Sequence, residues 1–253
     1  MFQFAQTNLQ LYRQLHARGY GEGDIAQLRH TYEIALPLFS GQYRSSDKPF
    51  ITHLVGTTSI LASNGERAAV LSASMLHAAY MRGDFGFDAG SRRSRRRRAW
   101  LSDRLGREVE NLVARYDAEP WNRETIRAWC ADREAVGPAE RDLLRMLLAN
   151  VYEDFMDGGM CRGISRKSLL YTDTGVQRDI LHLAARCRWP ELATLLAAAF
   201  QEFNAARKDL PEDGGQGIST LRLPPSARRK LLPTARGWFA RRLRRRFAMR
   251  REI

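Results

Sequence analysis

Apolar residues recur at helical spacing along most of the chain, and no stretch alternates for long enough to predict a strand. From Thr7 to Arg18 the positions Leu9, Leu11, Tyr12 and Leu15 predict an amphipathic helix, which Gly19 and Gly21 stop. Asp24 is the expected cap of a second helix through Ile25, Leu28, Tyr32 and Ala35, with Pro37 ending or kinking it near Phe39. A tight polar turn, GQYRSSDKP, then delivers Pro49 to the first turn of a third helix carrying Phe50, His53, Leu54, Ile60 and Leu61. Asn64 and Gly65 break it, and an antiparallel fourth helix runs from Glu66 through Val70 and Ala73 to His77. Two imidazoles are thereby directed towards one place.

Beyond a glycine- and serine-bearing loop, Gly83 to Ser94, the helical period returns from Trp100 to Arg115 through Leu101, Leu105, Val109 and Val113. Asn122 is a plausible cap for a helix that turns Ile126 and Trp129 inward. Pro138 opens a long helix whose buried side is marked by Leu143, Leu144, Leu147, Leu148, Val151 and Phe155. Asp154 and Asp157 lie past Asn150 on it; Asp154, one turn on, is read either as a replacement carboxylate facing the same place as Asn150 or, the favoured reading, as a carboxylate at the exposed edge of the helix. Two last helices, Val176 to Arg186 and Pro190 to Ala206, predict a hairpin packed on the preceding body. The fold class is all-α.

Composition changes this picture at two places. The formal net charge is +13, but SRRSRRRR at 91–98 contributes +6 and residues 226–253 contribute +10, leaving −3 for the rest. The block at 91–98 is either a solvated helix start or connector, or a binding element. Residues 208–225 have linker composition, and Thr234 to Arg251 then sets Phe239, Ala240, Leu243 and Phe247 in a narrow stripe among arginines, with Trp238 on its flank. Trp238, Phe239, Arg242, Leu243, Arg246 and Phe247 are therefore the expected contacts with an anionic membrane surface. Nucleic acid or a protein partner is the rival occupant of this tail. Three widely spaced cysteines suggest buried thiols in a reducing compartment. With neither a leader nor an apolar run of spanning length, a cytoplasmic location is expected, with the inner membrane face as the site of tail docking. His16, His30 and His182 read as surface or packing residues without metal-ligand spacing.

The segment from 39 to 84 carries more than packing. Gly41, Gln42, Arg44, Ser46, Pro49, Phe50, Ile51 and His53 are followed by Met75-Leu76-His77, by the helix Leu101 to Val113, and by Leu148-Ala149-Asn150. In that order they resemble the HD metallohydrolase superfamily, and within it the hydrolase domain of the RelA/SpoT alarmone enzymes, over residues 25 to 157. The resemblance implies an HD-like helical bundle. Together with the linker and tail read from composition, it would divide the chain into an N-terminal helix (1–24), the HD-like domain (25–157), a helical extension (158–207), a linker (208–225) and the basic amphipathic tail (226–253).

The departures from the family pattern fall on its chemistry. Phe39 stands where the family's first histidine belongs, Ala78 where the doublet aspartate belongs, and Asn150 where the later aspartate belongs. Met81 and Arg82 replace the acidic pair that the alarmone hydrolases use beside the metal. Two imidazoles without a carboxylate neither neutralise nor enclose a hard divalent ion, so no metal and no cofactor are expected. His77-Ala-Ala-Tyr80 with Gly83 also looks like an uncharacterised HD-related bacterial group in which H-[SA]-x-Y-G replaces H-D.

The resulting expectation is a catalytically degenerate HD-like protein, a ligand-binding or scaffold module held peripherally at a membrane by its tail. Arg44, His53, His77 and Asn150 would line its ligand site, with Arg44 carried over from the arginine that packs near the nucleotide base in the alarmone enzymes. One alternative is a metal-independent enzyme or binder acting on a phosphorylated or sugar-type molecule, with His53 and His77 as the catalytic pair. Another is a polyanion- or nucleic-acid-binding protein.

Overall fold

A computed structural model describes residues 4–44, 48–87, 91–131, 136–156 and 168–206, and among them the regular structure is helical. All lie in the first of the two units into which the chain divides, Met1–Ile218 and Ser219–Ile253. The expected linker (208–225) and tail (226–253), with its six membrane contacts, lie outside the described residues, as does Cys161. Among the described residues no helix is long and apolar enough to cross a membrane.

Helix α1 (Asn8–Ala17) begins at a reciprocal cap: Thr7 Oγ1 accepts from the Gln10 amide, and Gln10 Oε1 accepts from the Thr7 amide at 3.1 Å. It buries Leu11 and Leu15. Helix α2 (Glu22–Phe39) starts at Gly21, so Asp24 lies in its first turn and is not its cap. Acidic Glu22 and Asp24 suit that end, where the exposed amides carry positive charge. The helix ends at Phe39 as its pattern predicts, with Pro37 inside its last turn.

Helix α3 (Phe50–Ser63) is the centre of the fold. Every residue from His53 to Ala62 is buried, so it is enclosed on all sides instead of offering one stripe. Leu54, Ile60 and Leu61 are fully enclosed, each worth about 1.5–3 kcal/mol of burial. It packs chiefly on α4 (Ala68–Met75) and on α9 (Pro138–Met156). One reason α9 comes so close is Gly56, where an added Cβ would stand 2.9 Å from Glu153 Cγ and Oε1. Helix α4 is shorter than its apolar period predicts: it ends at Met75, and His77 sits in the turn before α5 (Ala79–Arg82).

The predicted run from Trp100 to Arg115 is two helices, α6 (Arg95–Leu105) and α7 (Arg107–Ala118). Gly106 separates them at φ 85° and ψ 160°, a conformation that side chains forbid, which an apolar period alone does not register. Arg95 to Arg98 of the arginine block form the first turn of α6, with Ser94 as cap, and Arg92 and Arg93 precede it. Arg98 forks onto Glu110 at 2.6 and 2.8 Å, and the Tyr80 hydroxyl donates to the same carboxylate at 2.7 Å. Arg96 and Arg97 lie over Phe87 and Phe85 at 4.3 and 5.0 Å. Much of the block's charge is thus engaged within the fold.

Helix α8 (Arg123–Ala131) packs against α10 (Thr174–Arg186), which Asp173 caps. Helices α10 and α11 (Pro190–Ala206) pair as the predicted hairpin, and α11 also lies on α9 through Phe155, Phe200 and Phe203. Arg145 ties this end together, donating to Glu66 Oε1 at 2.7 Å and to the Cys187 carbonyl at 3.0 Å. His182 is exposed on α10.

Candidate functional site

The polar turn before α3 closes as a narrow hairpin. Tyr43 and Pro49 form an antiparallel bridge, the Arg44 amide donates to the Lys48 carbonyl at 2.9 Å, and the Phe50 amide donates to the Gln42 carbonyl at 2.9 Å. Gln42 Nε2 holds the base of the turn to the Leu38 and Arg82 carbonyls at 3.1 and 2.9 Å. Two cationic side chains, Arg44 and Lys48, therefore leave adjoining points of one small frame.

Opposite them on α9 stand two consecutive carboxylates. Glu153 takes Lys48 Nζ on Oε1 and His53 Nδ1 on Oε2, while Asp154 takes Arg44 Nη2 on Oδ1. The His53 side chain is 0 % exposed, Glu153 1 % and Asp154 6 %. His53 Nδ1 is also 3.9 Å from Asp154 Oδ1. Asp154 is thus not at an exposed edge. The hairpin and α3 cover the face of α9 that a helical period, read without tertiary context, leaves to solvent.

An ionised carboxylate only accepts, so His53 Nδ1 carries the proton and Nε2 presents its lone pair. Burial drives the His53 pKa well below its ordinary value; Arg44 and Lys48 push the same way, against Asp154 and the Asn150 amide. The ring is neutral. Burial likewise raises the Asp154 pKa, more than the neighbouring Arg44 lowers it. Lys48 faces Glu153 and Arg44 faces Asp154 as two side-chain pairs within the buried cluster.

The two histidines do meet. Their rings lie edge to face at 5.4 Å, inside a series in which Phe39 stacks on Phe50 at 5.2 Å, while Phe50 meets His53 and His77 meets Tyr116 edge to face, each at 5.5 Å. His77 Nδ1 donates to the Ser74 carbonyl at 2.7 Å, which turns Nε2 outward from that carbonyl. Arg44, His53 and Asn150 gather around this centre, Asn150 close enough to favour the charged His53 ring. Apart from this approach to each other, buried His53 Nε2 and Asn150 Oδ1 have no hydrogen-bond partner among the described residues. Lys48, Glu153 and Asp154 complete the cluster; the sequence holds no signal for Lys48 or Glu153 and leaves a buried Asp154 as the less favoured of two readings. Asp154 carried the one available signal, its position one turn past Asn150.

One donor atom from each of His53, Glu153 and Asp154 lies within 4.8 Å of the others, a mixed nitrogen and oxygen set of the kind that holds a transition metal. The expectation of two imidazoles without a carboxylate is therefore corrected: two carboxylates are present. Both are already paired, however, and His53 turns its proton towards Glu153. With Lys48 and Arg44 in place, these residues do not fit a divalent ion.

No curated protein matches this chain. Residues 38–120 match the family model described as Domain of unknown function (DUF6817), a span that contains Arg44, Lys48, His53 and His77 and ends before Asn150, Glu153 and Asp154.

Proposed function

We propose that residues 25–157 are an HD-like module in which internal ion pairs take the place of a metal, and that the module binds a small polar molecule. The observation that carries this reading is the pair of unspent acceptors, His53 Nε2 and Asn150 Oδ1, beside the ion-paired cluster of Arg44, Lys48, Glu153 and Asp154. A buried acceptor without a donor costs about 1–3 kcal/mol, which a ligand hydroxyl or amine would recover. Retention of both imidazoles at 5.4 Å also suits proton exchange with such a group. The resemblance to the alarmone enzymes directs the choice of ligand towards hydroxylated and phosphorylated molecules, with Arg44 beside them.

The test is calorimetric titration of the full chain with ribose, glucose 6-phosphate and guanosine tetraphosphate, alongside Asn150→Leu. Saturable binding of one of them, weakened in the variant and without pyrophosphate release, is the expected result. No binding in any titration, or hydrolysis of the tetraphosphate, overturns the reading.

The tail extends this proposal to location. Its support is the sequence stripe Phe239, Leu243 and Phe247 within eleven basic residues and one acid at 226–253, which suits an anionic membrane surface better than a duplex backbone.

A further inference from the structure

Lys48 answers Glu153 and Arg44 answers Asp154, and beside these pairs stands a cation that no acid answers. Arg82, the last residue of α5, is exposed and makes no ion pair among the described residues. The nearest acid along the chain, Asp84, turns its Oδ1 to the Gly86 amide at 2.9 Å. We propose that Arg82 and Arg44 together form a site for a phosphate group, the anionic end of a small molecule whose polar end lies at His53 and Asn150. The proposal rests on the ligand-binding reading above for that polar end, and on Arg82 for the anionic one.

The place of Arg82 is set by its neighbours. Its guanidinium lies over the Phe50 ring, 5.4 Å from the centroid, and the same ring stacks on Phe39 and meets His53 edge to face. An anion on Arg82 is therefore one phenyl ring away from the buried imidazole. Gln42 Nε2 bonds the Arg82 carbonyl at 2.9 Å, and Arg44 leaves the same hairpin two residues further on. Desolvation first, and then the charge of Arg44, lowers the Arg82 pKa, and no acid among the described residues works against either.

Two like charges on one frame are relieved by an anion that both can reach. Of the Arg44 side-chain donors only Nη2 is engaged among the described residues, by Asp154, so Nε and Nη1 are open to a ligand. Arg82 offers its whole fork. A phosphate group has enough acceptor oxygens, and enough charge, to take N–H groups from two guanidiniums at once; a neutral hydroxyl has neither. The rival carboxylates lie deeper. Glu153 and Asp154 are nearly closed to solvent while the Arg44 side chain is 20 % exposed, so an incoming anion meets the cations before the acids.

The experiment titrates the full chain with inorganic phosphate, glucose 6-phosphate and glucose, by calorimetry and phosphorus NMR. Wild type is compared with Arg82→Gln, Arg82→Lys, Asn150→Leu and Arg107→Gln, the last removing the same charge from the exposed start of α7. Binding of phosphate by the basic tail is common to all of them and forms the background. Arg82→Gln should weaken phosphate and glucose 6-phosphate about tenfold or more, and Arg82→Lys, which keeps the charge without the fork, should recover part of the loss. Arg107→Gln should change neither. Asn150→Leu should spare inorganic phosphate and weaken only the sugar phosphate. Circular dichroism checks folding, and Arg82→Lys serves alone if the glutamine variant fails to fold. Phosphate binding that is absent from wild type, untouched at Arg82, or lost equally on Arg107→Gln overturns the proposal. Glucose bound as tightly as glucose 6-phosphate leaves the ligand-binding reading standing and removes the anion site. Phosphate held at Arg82 with no contribution from the sugar or from Asn150 does the reverse.

Discussion

His53 on α3 donates its Nδ1–H to the Glu153 carboxylate on α9, joining two helices at the centre of the fold through a pair that is shielded from water. The hydrogen bond fixes the tautomer, and the tautomer fixes which nitrogen faces Asn150. Glu153→Ala removes the acceptor of His53 and one partner of Lys48, leaving polar groups buried. A loss of about 3–5 kcal/mol is expected from urea unfolding, against a far smaller one for exposed Glu124→Ala.

Gly56 is the place where α3 makes room for that carboxylate. A methyl group there meets Glu153 Cγ and Oε1 at 2.9 Å, and the buried side chain has little freedom to retreat. Gly56→Ala should cost about 1–3 kcal/mol despite raising helix propensity, and Gly56→Val more. Thermal unfolding of the two variants measures this. Equal or higher stability in Gly56→Ala would show that α9 shifts freely.

Acid should weaken the fold through His53. Its folded pKa is depressed below the ordinary value of 6.5, chiefly by burial, so between the two values the unfolded chain binds a proton that the folded chain refuses. The stability due to this ring is fully present above 6.5 and falls away as pH drops through the window towards the folded pKa. Asp154, whose pKa is raised, contributes in the opposite sense, so wild type is compared with His53→Gln. The difference in unfolding free energy between them should shrink in favour of the variant as pH falls from 7 to 5; a constant difference would show that the ring does not titrate as described.

Membrane docking is tested on the tail directly. Charge near an anionic surface contributes about 1 kcal/mol per basic residue, and each apolar side chain of the stripe adds to it on insertion. The full chain should co-sediment with phosphatidylserine vesicles, and a 1–225 truncation should not. Phe239→Ser/Leu243→Ser/Phe247→Ser should lose most of the binding. If the triple variant binds as well as the parent while DNA competes the protein off, the tail is a polyanion-binding arm.

Much of the helical order was legible because apolar spacing reports burial, and the hairpin of α10 and α11 emerged close to its predicted bounds. The α6–α7 break was not, since Gly106 matters through a backbone angle and not through hydrophobicity. His53 and His77 could be paired from two helices joined by a short turn. Glu153 could not: its partners lie 100 and 105 residues away, and on an isolated helix an acidic residue reads as solvent-facing. Asp154, one turn past Asn150, could be read either way, and the favoured exposed-edge reading gives way to the buried one.

The division of charge between a hairpin and a helix has a consequence for descent. Lys48 answers Glu153 and Arg44 answers Asp154, each across more than a hundred residues of chain. Replacing one member alone strands its counterpart in a medium that penalises lone charge. Across related sequences, positions 48 and 153 should therefore change together, as should 44 and 154.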